Sequence, residues 1–122
     1  MSDAVFVNGL VIHAYHGVLE HESRVGQTFI LDLTLDLDLS AASVSDKLMD
    51  TVGYDQVVAV ASEAFQKHRY RLVEAAAGNV ASAILAAFTH VARVRVTVRK
   101  PHAPIAAVFT DVGVTIERAR GA

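Results

Sequence analysis

The chain contains no cysteine. That absence excludes disulfide staples, a thiolate nucleophile and cysteine-ligated zinc together. Its two prolines, Pro101 and Pro104, fall close together and break regular structure there. No excess of either charge is present: 11 basic and 13 acidic residues give a formal net charge of −2. With a sequence pI near 6.3, there is no electrostatic reason to expect nucleic acid or an anionic membrane as partner. The stretch Met1–Val7 carries Asp3 and no Lys or Arg, unlike a secretory signal. The longest apolar-rich helical stretch holds Glu74 and Asn79 and is too short to span a bilayer comfortably. No P-loop, GxGxxG or nucleophile-elbow pattern occurs. A cytoplasmic protein is expected.

What remains is apolar. Hydrophobic residues make up 52% of the 122 positions, and mean hydropathy is +0.36. Such a chain buries enough surface to offset its conformational entropy, and its length suits one compact domain over residues 1–122. The apolar share also exceeds that of ordinary domains. Part of it is therefore expected at contacts between subunits of a homo-oligomer.

Two periodicities organise the chain. Val5, Val7, Leu10 and Ile12 mark a first strand, with Asn8 and Gly9 as a bend or bulge inside it. A polar connection over His16–Arg24 follows. Phe29, Leu31, Leu33, Leu35, Leu37 and Leu39 then alternate with Asp32, Thr34, Asp36 and Asp38, the period of a half-buried strand. After a loop between Ser40 and Val52, the period changes to that of helices over about Tyr54–His68 and Leu72–Phe88. Val94, Val96 and Val98 mark a third strand, and Val112, Val114 and Ile116 a fourth. The order β-β-α-α-β-β predicts an α+β domain, with helices against one face of an antiparallel sheet. Exposed strand ends favour closure into rings through the sheet edges.

Lys100 is the most informative single residue. Strand parity aligns it with Val94, Val96 and Val98 rather than with Arg93, Arg95 and Arg99. A lysine aimed at the apolar side is partly desolvated, which disfavours its ammonium form and suits proton transfer. The alternative is a strand-end lysine whose amine reaches back to water. Glu74 opens the second long helix, where a carboxylate interacts well with the helix dipole or offers two acceptors to a planar ligand edge. Glu22 and Tyr54, taken singly, read as surface residues. His13, His16 and His21 do not make a metal site: His13 and His16 face opposite sides of an extended segment, and no further ligand group is evident.

Four strings carry a resemblance. His16–Glu22 followed by Val25–Phe29, then Asp50–Tyr54, then Leu72–Glu74, and finally Lys100–Ile105 resemble, in order and at compatible spacing, the dihydroneopterin aldolases. The likeness runs from about Val5 to Arg118. It implies the tunnelling fold, with the β-β-α-α-β-β order read above, and stacked rings that usually form an octamer of two tetramers. It implies catalytic roles for Lys100 as proton carrier without a Schiff base, Glu22 as its support, and Tyr54 in protonating the intermediate from a neighbouring subunit. It implies a small-molecule pterin substrate held by Glu74 and the Val73 backbone, with Leu19, Val52 and Leu72 lining the pocket. No cofactor and no metal are implied. Many members carry a glycine where this chain has Ala106 and Ala107, so a different loop conformation is expected there.

A retro-aldol cleavage must place an electron pair on the carbon that loses its aldehyde partner. Dihydroneopterin carries a ring C=N bond beside the reacting side chain and so provides its own sink. Acid/base groups and positioning then suffice. Three other readings share these residues: an epimerase of the same side chain or of its triphosphate, a zinc-dependent pterin synthase of the same fold, and a non-catalytic ring-forming scaffold.

Overall fold

The computed structural model describes residues 3–121. Its four-stranded antiparallel sheet has the order β1 (Ala4–Ala14), β2 (Gln27–Asp36), β3 (Arg93–Lys100), β4 (Val112–Ala119). Two long helices, α3 (Tyr54–Gln66) and α4 (Val73–Ala87), are inserted between β2 and β3 and cover one face. Two short helices complete the fold: α1 (Glu20–Val25) lies in the connection read as polar loop, and α2 (Ser40–Ser45) follows β2 with a 3₁₀ turn at Leu48–Asp50. Both are too short for a hydrophobic period to register. Among the described residues no helix is long and apolar enough to cross a membrane.

Parity builds the core. Phe29, Leu31, Leu33 and Leu35 of β2 and Val94, Val96 and Val98 of β3 are all fully buried on the helix side. Their partners from above are Val57, Ala61 and Phe65 of α3 and Ala76, Ala77, Val80, Ala81 and Ile84 of α4. Alanines along α4 let that helix lie close to the sheet, as a run of small side chains requires. Leu37, expected within the strand, is buried just beyond its end.

The bulge falls where Asn8 and Gly9 predict it. Pairing of β1 with β2 shifts between Val7 and Leu10, and Gly9 takes a φ of 73°. Its N–H donates to Asp32 Oδ1 at 2.8 Å. The same carboxylate accepts from Arg99 Nη2 at 3.1 Å, and Arg99 Nη1 reaches Asp111 at 3.3 Å. Arg99 is thus a half-buried pivot on the face away from the helices, unlike a solvated strand-face arginine. Ala106 and Ala107 keep negative φ, so the loop after β3 does not use the left-handed conformation open to glycine.

Leu33 sits at the middle of β2, fully buried, while its neighbour Thr34 faces the other side. Leu33→Ala should destabilise the fold by about 2–5 kcal/mol, and Thr34→Ala by less than about 1 kcal/mol, in denaturant unfolding.

Candidate active site

Lys100 ends β3 on the helix side, as parity predicts, and there it meets Glu22 of α1. Its Nζ donates to Glu22 Oε2 at 2.9 Å and lies 5.9 Å from the centre of the Phe29 ring. The lysine side chain is 14% exposed and the glutamate 3%, so the ion pair is largely out of water. The partly desolvated amine expected from strand parity thus has a carboxylate partner. Glu22 itself, read singly as a surface residue, is buried.

Local structure explains how a carboxylate comes to be buried there. Glu22 is the third residue of α1 and turns back to accept the Leu19 N–H on Oε1 at 3.2 Å. Gln27, at the start of β2, donates its side-chain N–H to Glu22 Oε2 at 2.8 Å. Gly17 makes room: a Cβ at this position would stand 2.3 Å from the Glu22 carboxyl carbon, and its φ of 147° is one that side chains rarely adopt. Burial on its own pushes the Glu22 carboxyl up. The hydrogen bonds from Lys100, Gln27 and Leu19, with the charge of Lys100, outweigh it and leave the group below its ordinary value.

Gln27 is a site residue that the pattern of the sequence did not single out. It lies in the Val25–Phe29 string, but no composition or spacing rule marks it. Its Oε1 is buried with no hydrogen-bond partner among the described residues, beside the ion pair. An acceptor left open there suits a donor on a bound molecule.

His16 is the second such residue. It is 1% exposed and packs against Phe29, Phe65 and Tyr70. Tyr70 N–H donates to His16 Nδ1 at 3.0 Å, and His16 Nε2 lies 2.7 Å from Phe65 O. Among the described residues no three His, Asp or Glu side chains converge.

The remaining candidates fall into two groups. Leu72, Val73 and Glu74 begin α4 just after Tyr70, whose carbonyl accepts the Gly17 N–H at 3.0 Å. That contact brings the α4 N-terminus to the same end of the sheet as Leu19, Glu22 and Lys100. Leu19 and Leu72 are 46% and 53% exposed, as walls of an open site would be. Tyr54 and Val52 are elsewhere. They line a cleft with Val5 and Leu48, at the opposite end of α3 from Phe65. Counting along β1 from Val5 to Ile12, or along α3 from Tyr54 to Phe65, the two ends are about 20 Å apart. Tyr54 is 70% exposed, and Val52 is 6% exposed within the core. Within one chain, Tyr54 does not reach Lys100.

The depressed Glu22 carboxyl carries a stability consequence of definite sign. Its contribution is present above the ordinary value of 4.5 and is lost as pH falls through the lower folded value. Unfolding midpoints between about pH 6 and pH 2.5 should therefore fall more steeply for the unaltered chain than for Glu22→Gln.

The arrangement matches one known family across its length. The family model for dihydroneopterin aldolase (FolB) covers residues 5–117. The dihydroneopterin aldolase of Methylorubrum extorquens is 38% identical over 120 residues, 98% of this chain and 92% of that protein. The structure of FolB from Vibrio cholerae superposes with a TM-score of 0.90 at 37% identity, covering 98% of this chain and 99% of the other. That of Escherichia coli dihydroneopterin aldolase in complex with neopterin gives 0.87 at 32% identity, covering 96% and 99%. With both strand order and sequence in agreement from end to end, this chain belongs to the dihydroneopterin aldolase family.

Proposed function

We propose that this chain cleaves 7,8-dihydroneopterin in the cytoplasm by a retro-aldol reaction, with Lys100 and Glu22 as its acid/base centre and Tyr54 supplied by a neighbouring copy. The buried 2.9 Å contact between Lys100 and Glu22 carries this reading. Glu22 accepts from Leu19, Gln27 and Lys100, which fixes it to hold the lysine and leaves acceptor capacity for a substrate donor. As a free amine, Lys100 would keep one N–H on Glu22 and present its lone pair to take the proton of a substrate hydroxyl.

The chemistry balances without an imine. The 2′-hydroxyl proton passes to the acid/base centre as the bond between C1′ and C2′ breaks. Glycolaldehyde leaves, and the bonding pair moves into the ring C=N bond to give an enamine. A proton returned at C1′, with Tyr54 assisting, yields 6-hydroxymethyl-7,8-dihydropterin. One proton leaves oxygen and one arrives at carbon, so no external oxidant or metal takes part in the balance. Glu74, exposed at the start of α4, offers two acceptors to the amino group and ring N–H of a pterin. Val73 contributes backbone beside it, and Leu19, Leu72 and Val52 of the two ends form apolar walls. The bound neopterin of the E. coli enzyme supports a pterin as ligand. Re-addition of the aldehyde to the other face of the enamine would give an epimer as a side product.

Separation of Tyr54 from Lys100 within one chain supports a site shared between copies. Both outer strands, β1 and β4, leave one backbone edge unpaired in the single chain. Edge pairing into rings, two tetramers to an octamer, would satisfy those groups and bring the separated ends together.

Incubation with 7,8-dihydroneopterin and a chelator should yield 6-hydroxymethyl-7,8-dihydropterin and glycolaldehyde in equal amounts by chromatography. Formation of the epimer alone, or dependence on added zinc, would defeat the reading. Lys100→Ala and Tyr54→Phe subunits, each weakly active alone, should regain turnover when mixed in one assembly. Mixed assemblies that stay inactive would place the whole site within one chain.

A further inference from the structure

Five hydrogen bonds tie the segment after β1 to the end of α3 and the connection between α3 and α4. Gly17 N–H donates to Tyr70 O at 3.0 Å, and Tyr70 N–H to His16 Nδ1 at 3.0 Å. Arg69 Nε donates to Tyr15 O at 3.2 Å, and Arg69 Nη2 to Gly17 O. His16 Nε2 completes the set on Phe65 O at 2.7 Å. One side of this strap leads directly into α1 and Glu22, and the other into Leu72, Val73 and Glu74. It is the junction between the acid/base centre and the carboxylate proposed to hold the pterin.

The ring nitrogens of His16 have assigned roles. An N–H approaching Nδ1 makes that nitrogen an acceptor, so the proton sits on Nε2 and is donated to the Phe65 carbonyl. A second proton, on Nδ1, would set two donors against each other across 3.0 Å. We infer that His16 is a positioning residue for this reaction: as a neutral imidazole it holds Tyr70, and through it Leu72–Glu74, in place against the Glu22–Lys100 pair. The inference rests on the functional reading above for the role of Glu74.

The surroundings oppose protonation. Arg69 and Tyr70 face the ring from the connection between the helices, and Lys100 acts on it from β3, with Glu22 behind Lys100. His13 and Tyr15 from β1 and its extension, and Lys67 and His68 beyond α3, line with it a cleft of about 160 Å³. Burial lowers the imidazole below its ordinary 6.5, the Phe65 carbonyl pulls it back in part, and Arg69 and Lys100 lower it further. Since the folded value lies below the unfolded one, positioning by His16 is complete above about 6.5 and is lost as pH falls through the folded value.

Two substitutions separate this role from a merely structural one. His16→Leu removes both hydrogen bonds and should raise KM for 7,8-dihydroneopterin about tenfold while kcat falls less than about threefold. His16→Asn keeps a neutral acceptor for the Tyr70 N–H at any pH. Its KM should stay within about threefold of the unaltered protein at about pH 8 and should lack the extra rise that protein shows as pH falls below 6.5 through the folded His16 value. An equal acid rise in both, or a loss in His16→Leu confined to kcat, would overturn the inference. If His16→Leu does not fold, the Asn comparison decides. An unaltered protein that fails to cleave the substrate refutes the functional reading instead. In that event ¹⁵N shifts of the labelled His16 ring test the neutral Nε2–H form, and an Nδ1–H form or a doubly protonated ring at neutral pH would overturn it.

Discussion

Strand parity is the constraint on which the site depends. Along β2 and β3 every second side chain meets α3 and α4, and the register Leu31 with Val98, Leu33 with Val96, Leu35 with Val94 holds them opposite one another. A slip of one residue would turn the buried leucines and valines to the other face and send Asp32, Thr34, Arg95 and Arg99 into the core. That exchange is prohibitively costly, so the register is unique. Lys100, next in the valine series, is carried with it to the helix side, where Glu22 waits.

A buried ion pair is seldom a source of net stability, because desolvation of two charges consumes most of their attraction. Glu22 is held by three donors from three segments, and Gly17 gives up a side chain to admit it. This concentration of structure around one carboxylate makes sense as preorganisation of Lys100. Around the corner, His16 and Arg69 fasten the segment after β1 to the start of α4. The Lys100–Glu22 pair and Glu74 are therefore parts of one end of the domain, whereas Tyr54 belongs to the other.

Much of the fold was legible because it rests on periods. The two-residue alternation from Phe29 onward, the helical spacing of Val57, Ala61 and Ala64, and the valines of β3 each report a half-buried element. Asn8 and Gly9 marked the bulge for a local reason, since a positive φ favours glycine. The short helices α1 and α2 span less than two turns and left no such trace. Among candidate site residues, Lys100 was picked out by strand parity and Glu74 by its place at a helix start. Glu22, Tyr54 and the apolar wall residues were named through motif likeness, and Gln27 and His16 acquire their roles only from their contacts.

The sequence by itself determined the order of strands and helices, the buried face of each, and the side to which Lys100 points. These follow from properties of neighbouring residues in one element, and alternation or helical spacing records them directly. Tertiary structure alone decided that Glu22 is buried against Lys100, that His16 accepts the Tyr70 N–H, and that Tyr54 lies at the far end of α3 from that pair. Those facts depend on where distant segments come to rest in space, and burial, hydrogen-bond partners and protonation state are properties of that meeting rather than of any residue's place in the chain.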